Sequence, residues 1–72
     1  MNIYDIGLKI AKARHEAGYT QREFAKKIGV TRNAVQCWEN GTHPPSIKNR
    51  KRIKDAINLD IDALLGDYHG DV

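Results

Sequence analysis

The sequence predicts an all-α protein, a compact bundle of five helices, and three observations support this fold class. Apolar residues recur at spacings of three and four along most of the chain, the period of a helix with one buried face. Residues that favour helix starts, such as Thr20 and Ser46, precede these segments, and glycines such as Gly18 and Gly29 follow them. No segment alternates apolar and polar residues as a half-buried strand does.

Residues 2–18 predict the first helix. Asn2 can cap its start, and the apolar stripe consists of Ile3, Ile6, Ile10, Ala13 and Ala17. Gly7 lies beside this stripe and allows another helix to approach closely. His15 and Glu16 fall on the outer side, where we interpret both as solvated surface residues.

Residues 20–41 predict two short helices joined by a tight turn. Thr20 and Glu23 form the capping-box pattern, in which each side chain bonds the other residue's backbone N–H. Gly29 suits the left-handed conformation that ends a helix, and Thr31 can cap the next one. Apolar residues at helical spacing follow both caps: Phe24, Ala25 and Ile28 in the first helix, then Ala34, Val35 and Trp38 in the second.

A fourth helix is predicted from Ser46 to about Ile57, after a connector that contains Pro44 and Pro45. It is unusually basic, with five cationic side chains on about two turns: Lys48, Arg50, Lys51, Arg52 and Lys54. They form either a solvated cationic face or a clamp for phosphates, and the position just after residues 20–41 favours the clamp.

A short fifth helix, Ile61–Leu65, is predicted after the capping residue Asp60, and Gly66 ends it. Its apolar cluster closes the core, and part of it can also serve as a dimer patch: Leu59, Ile61, Leu64 and Leu65. Residues 67–72 are expected to be a flexible tail, which leaves one domain over residues 1–66.

Length and composition exclude several classes of protein. A chain of 72 residues makes one domain at most, and a single cysteine, Cys37, excludes an internal disulfide framework. The three histidines show no metal-ligand spacing, so we expect neither a metal nor a cofactor. No segment approaches the roughly 20 apolar residues that cross a bilayer, and no signal peptide is visible. We therefore expect a cytoplasmic protein.

Charge is distributed unevenly along the chain. All 12 Lys and Arg lie in residues 1–54 together with only four acids, which gives this part a net charge of +8. The last 18 residues hold five aspartates and no Lys or Arg, a net charge of −5. Such a basic body suits a polyanionic partner held on one face, although basic surfaces are also common on small soluble proteins.

The chain is similar to the helix-turn-helix domain of lambda-repressor-like and Cro-like (XRE-type) regulators over roughly residues 3–66. The resemblance rests on residues in register with that family: Ile6-Gly7, Ala13-Arg14, Gly18-Tyr19-Thr20-Gln21, Ala25, Gly29-Val30-Thr31, Val35, Trp38-Glu39-Asn40-Gly41 and Pro45-Ser46. It implies a five-helix bundle whose second and third helices bind DNA. The sequence departs from the family at Arg50, Lys51 and Lys54, where relatives carry apolar or small residues.

The resemblance also implies roles for individual residues. Base contacts are expected from the third helix: Thr31, Arg32, Asn33, Gln36 and Cys37. Phosphate contacts are expected around it: Gln21, Arg22, Asn40, Thr42, His43 and Lys48. A partly buried structural ion pair is implied between Arg14 and Glu39, whereas sequence spacing alone favours two ordinary surface charges.

The expected function is sequence-specific binding of double-stranded DNA by a transcriptional regulator, most simply a repressor of the phage or mobile-element type. So small a domain reads few base pairs, which predicts a homodimer on a near-palindromic operator. One alternative is an antitoxin-type module that binds a toxin protein and regulates its own operon; another is a restriction–modification controller protein. The sequence contains no catalytic spacing, so we do not expect an enzyme.

Overall fold

The computed structural model describes residues 1–66 and arranges them in five helices. These are α1 (Ile3–Glu16), α2 (Gln21–Ile28), α3 (Arg32–Glu39), α4 (Ile47–Ile57) and α5 (Ile61–Leu65). The predicted all-α fold is confirmed for this part of the chain, which contains no strand. Helix α1 lies within the predicted range 2–18, with Asn2 as its N-cap, as predicted, and Ala17 as its C-cap. The predicted flexible tail, residues 67–72, lies outside the described residues.

Every helix begins as the capping residues predict. In each case the side chain of the N-cap accepts a hydrogen bond from the backbone N–H three residues later, which satisfies one of the otherwise unpaired donors of the first turn. The five capping residues are Asn2, Thr20, Thr31, Ser46 and Asp60. The helix starts are therefore determined locally, by one side chain each.

The C-cap residues of α2 and α4 adopt the left-handed conformation. Gly29 ends α2 with φ 78°, as predicted, and the N–H of Val30 then bonds the carbonyl of Ala25 at 2.9 Å. Asn58 ends α4 with φ 55°, a role that was not predicted for it. Asparagine adopts this conformation more readily than most residues other than glycine, because its side chain can bond the backbone locally.

The core lies between α3 and the helices that pack around it. Helix α3 packs on α1 and α2, α4 packs on α2 and α5, and α5 returns to α1. The buried apolar residues come from all five helices: Ile6, Ile10, Phe24, Ala25, Ile28, Val35, Trp38, Ile53 and Ile61. This arrangement packs one side of α3 against the core and leaves its opposite side exposed to solvent.

The buried face of α1 differs from the predicted stripe. Ala17 is exposed, and Ile3 and Ala13 are only half-buried, whereas Gly7 and Arg14 are buried. The reason is the crossing with α3. A Cβ atom placed on Gly7 would lie 2.4 Å from the carbonyl oxygen of Trp38, so α1 touches the backbone of α3 here. Because of this contact, the side of α1 that carries Gly7 and Arg14 faces the core.

Three of the five basic residues of α4 form ion pairs or hydrogen bonds with other residues of the protein. Arg50 pairs with Asp62 at 3.0 Å and donates to the carbonyl of Pro45 at 2.9 Å. Lys54 pairs with Asp60 at 3.4 Å, and Arg52 donates to the last-turn carbonyl of Ile28 at 3.3 Å. These contacts explain how α4 packs despite its departures from the family.

The phosphate-clamp hypothesis for α4 therefore narrows to Lys48 and Lys51. Both are exposed, and neither forms an ion pair with any residue in the range 1–66.

Ile47 is 74% exposed and contributes nothing to the core. No helix of the described range is long and apolar enough to span a membrane.

The capping box of α2 gives a pH-dependent prediction. The N–H of Thr20 donates to Glu23 at 2.9 Å, and this bond, with the Thr20 side chain, lowers the pKa of the Glu23 carboxyl. A lowered folded-state pKa stabilises the protein above the pKa of the unfolded chain, and the contribution disappears as the pH falls through the folded-state value. We expect Glu23→Gln to melt below the wild type at pH 7 and to approach it at pH 3.

Thermal unfolding followed by circular dichroism between pH 7 and pH 3 measures this difference. Glu16→Gln is the control, because Glu16 is also exposed but accepts no hydrogen bond within residues 1–66. An equal gap between Glu23→Gln and the wild type at both pH values would contradict the assigned role of the carboxylate.

Candidate nucleic-acid interface

Helices α2 and α3 and the turn between them form one unit with a buried and an exposed side. Phe24 and Ile28 of α2 and Val35 and Trp38 of α3 are buried against the core. Their apolar spacing forces the intervening polar residues of α3 outward. The unit thus presents a polar helix face, anchored from behind, to the solvent.

The five predicted base-contact residues lie on or at the start of this exposed face. Arg32, Asn33 and Gln36 are exposed and Cys37 is half-buried. Asn33 Nδ2 lies 3.9 Å from Cys37 Sγ, a weak contact that gives the thiol a local partner. Thr31 is exposed, but its hydroxyl oxygen accepts from the N–H of Ala34 at 3.1 Å, so it also has a capping role.

The start of α2 provides donors beside this face. Gln21 Nε2 donates to Glu39 Oε1 at 3.0 Å, which uses one of its two N–H groups and leaves the other. Arg22 is exposed. Thr20 caps the N–H of Glu23, but the N–H groups of Gln21 and Arg22 have no partner within residues 1–66, so this end of α2 favours an anion.

The loop after α3 carries the remaining predicted phosphate contacts. Asn40 Oδ1 accepts from both the N–H and the hydroxyl of Thr42, which shapes the loop and leaves the Asn40 amide group as a donor. The ring of His43 lies 3.4 Å from the carbonyl of Pro44. Lys48 lies in the first turn of α4 and is exposed. The loop thus continues the polar surface beyond α3.

A buried ion pair braces the unit. Arg14 Nε lies 2.6 Å from Glu39 Oε2, and Nη2 lies 3.1 Å from Oε1, with only 6% and 9% of the two side chains exposed. Arg14 Nη1 also donates to the carbonyl of Tyr19 at 2.7 Å. Together with Gln21, the pair joins α1, the following turn, the start of α2 and the end of α3. No buried side-chain N or O atom of the described residues lacks a partner.

An open groove of about 540 Å³ runs beside this network. It is lined by residues of α1, α2 and α3: Arg14, His15, Thr20, Gln21, Arg22 and Arg32. The predicted phosphate contacts Gln21 and Arg22 thus meet the predicted base contact Arg32 in one basic groove. His15 also lines the groove, although the sequence predicted only a solvated surface residue. The turn through Gly18 brings the end of α1 next to the start of α2, and the helical repeat alone does not show this. Residues 1–66 contain no cluster suited to a metal ion.

Comparison with known proteins agrees with this geometry. A family model described as Helix-turn-helix matches residues 10–64. The HTH-type transcriptional regulator ImmR of Bacillus subtilis is 31% identical over 61 residues, 85% of this chain and 48% of that protein. The ImmF control region 10 kDa protein of Bacillus phage phi105 is 39% identical over 82% of this chain and 66% of its own length.

A third relative is the cryptic phage CTXphi transcriptional repressor RstR of Vibrio cholerae. It is 30% identical over 63 residues, which cover 88% of this chain and 56% of that protein. The chain therefore spans between about half and two thirds of the length of these relatives.

Proposed function

Because the chain belongs to the helix-turn-helix family, we propose that it binds double-stranded DNA sequence-specifically and represses transcription. The observation that carries this proposal is the exposed polar face of α3, held from behind by the Arg14–Glu39 pair and the core. The names of the relatives support it, since they are called regulators or a repressor of transcription. A cytoplasmic location accords with this role.

In the proposed complex α3 enters the major groove, which is wide enough to admit a helix. Arg32 is the leading candidate to bond O6 and N7 of a guanine with its forked guanidinium. Asn33 or Gln36 is suited to N6 and N7 of an adenine. Lysine and arginine around the face supply the sequence-independent, salt-dependent part of the affinity by releasing counterions from the phosphates.

We propose a homodimer on DNA. Helix α3 has eight residues and is roughly 12 Å long, so one copy reaches only a few base pairs. Two copies related by a twofold axis would read a near-palindrome with half-sites about 34 Å apart. Leu64 and Leu65 of α5 remain half-buried in the single chain, which leaves apolar surface for such a contact.

A protein partner is a second candidate role, as in an antitoxin-type module. It is favoured by two apolar residues one turn apart on α1, Tyr4 and Leu8, which are 61% and 56% exposed. Co-purification of a small protein with the chain, lost in Leu8→Ala, would support this role. A restriction–modification controller would instead act through DNA and would share the experiments below.

Binding-site selection from random duplex DNA tests the proposed function directly, because it yields the site and its symmetry together. Recovery of one enriched near-palindrome is the expected result. Recovery of unselected sequence would contradict specific binding.

Arg32→Ala is the sharper test at one residue. It should weaken binding to the selected site by about 1–3 kcal/mol, roughly five- to 150-fold, and relax the preference at one base pair. Gln21→Ala is the matched control and should lower affinity similarly on all sequences, because a phosphate contact carries no base information. Titration of both variants on selected and random duplexes separates the two roles. An equal loss on both duplexes for Arg32→Ala would make Arg32 a phosphate contact.

A further inference from the structure

The groove between α1, α2 and α3 contains a histidine that contacts the buried Arg14. Arg14 Nη2 lies 3.3 Å from His15 Nε2. Because a guanidinium has donors only, this contact favours the tautomer in which Nε2 accepts and Nδ1 carries the ring proton. Within residues 1–66 that N–H donates to no other group.

The surroundings of His15 are those of an anion site. Arg22 and Arg32 line the same groove, and the buried Arg14 guanidinium lies at its base. In the first turn of α2 the N–H of Glu23 is capped by Thr20, but those of Gln21 and Arg22, two residues that line the groove, have no partner within residues 1–66. The groove therefore offers donors from three helices and two exposed positive charges, beside the face that is proposed to meet DNA.

We propose that His15 binds a DNA phosphate as a neutral donor, through Nδ1–H, while Nε2 keeps its bond to Arg14. The inference rests on the proposed function and adds to it a DNA contact from α1, which carries none of the predicted base or phosphate contacts. The Arg14 guanidinium is not free to move out to a phosphate, because it donates hydrogen bonds to Glu39 and to the carbonyl of Tyr19. His15 extends this fixed network by one hydrogen bond to the backbone of the duplex.

A neutral donor and a cation differ in their response to salt. A cation that neutralises one phosphate contributes about 0.9 to the slope of log affinity against log salt concentration, whereas a neutral hydrogen bond contributes nothing. His15→Ala should therefore weaken binding about three- to tenfold on selected and random duplexes alike, with an unchanged slope. Arg22→Ala, the reference cation of the same groove, should lower the slope by about 0.9.

The experiment measures affinity by fluorescence anisotropy at pH 8, from about 50 to 200 mM salt, for the wild type, His15→Ala, His15→Gln and Arg22→Ala. Glutamine can accept from Arg14 and donate to a phosphate, so His15→Gln should restore most of the affinity. Thermal melts establish that each variant is folded, as expected for the exposed side chains of His15 and Arg22.

Three results would overturn the proposal: affinity of His15→Ala within twofold of the wild type, a slope lowered as in Arg22→Ala, or an altered sequence preference. The first means that no contact exists, the second that His15 binds as a cation, and the third that it contacts a base. A wild-type chain that binds no duplex would refute the proposed function and this inference together. Normal wild-type binding with an unaffected His15→Ala would refute the inference alone.

Discussion

Glu39→Ala is expected to lower the free energy of unfolding by about 3–5 kcal/mol, the largest loss among single substitutions of polar residues in this chain. The substitution leaves the Arg14 guanidinium, a buried charge, with only the carbonyl of Tyr19 and the ring of His15 as partners. Gln21 loses its acceptor at the same time. A domain of 72 residues has a total stability of roughly 4–11 kcal/mol, so this loss removes at least about a quarter of the total and, at the low end of the range, all of it.

Urea unfolding at 25 °C measures the loss, and two further variants identify its cause. Replacing both Arg14 and Glu39 by leucine should cost less than Glu39→Ala alone, because no unpaired charge remains buried. Lys54→Ala is the surface control: Lys54 and its partner Asp60 are 54% and 47% exposed, so the loss of this pair should cost less than about 1 kcal/mol. Equal losses for Glu39→Ala and Lys54→Ala would show that the Arg14–Glu39 pair behaves as a surface pair.

Gly7→Ala is expected to destabilise the protein by about 1–3 kcal/mol, although alanine favours a helix over glycine by about 1 kcal/mol. The added Cβ would lie 2.4 Å from the carbonyl oxygen of Trp38 and 2.6 Å from that of Glu39. Both are backbone atoms, which cannot rotate away as a flexible side chain can. Helix α1 must therefore move away from α3, and we also expect weaker DNA binding by the folded variant.

Gly18→Ala is the matched control for Gly7→Ala. A Cβ at Gly18 would meet nothing within 4 Å, but its φ of 84° is strained for alanine. It should cost about 1–2 kcal/mol through backbone strain and leave the affinity for DNA unchanged. Urea unfolding and duplex titration of both variants separate strain from steric displacement of α1. A Gly7→Ala protein more stable than the wild type would refute the close contact.

The number and order of the helices and the family were predicted from the sequence and are confirmed. These features depend on local signals, such as the capping box of Thr20 and Glu23 and the left-handed Gly29, which act within a few residues. The residue-level DNA contacts remain predictions. For the Arg14–Glu39 pair, sequence spacing alone favours two ordinary surface charges, and only the resemblance to the family indicated a buried pair.

Other features could not be predicted, because they depend on how helices cross. The buried side of α1 is rotated from the predicted stripe, since Gly7 lies against the backbone of α3. The pairing of Arg50 with Asp62 depends on where α5 returns, which no local pattern specifies. Likewise, the proximity of His15 to Arg22 follows from the turn after α1, and a helical repeat alone places His15 on a solvated surface.

The buried and exposed residues of α3 lie on separate sides, and this affects how the sequence of such a protein can diverge. Arg32 and Gln36 make no side-chain hydrogen bond within residues 1–66, and substitution of such exposed residues usually changes stability by less than about 0.5 kcal/mol. In the proposed complex, single substitutions at these positions would therefore change the operator without loss of the folded domain. Gln21 lacks that freedom, because the amide that faces the proposed phosphate also holds Glu39. The proposed mode of binding would thus allow the operator preference to change while the position of the helices on DNA stays the same.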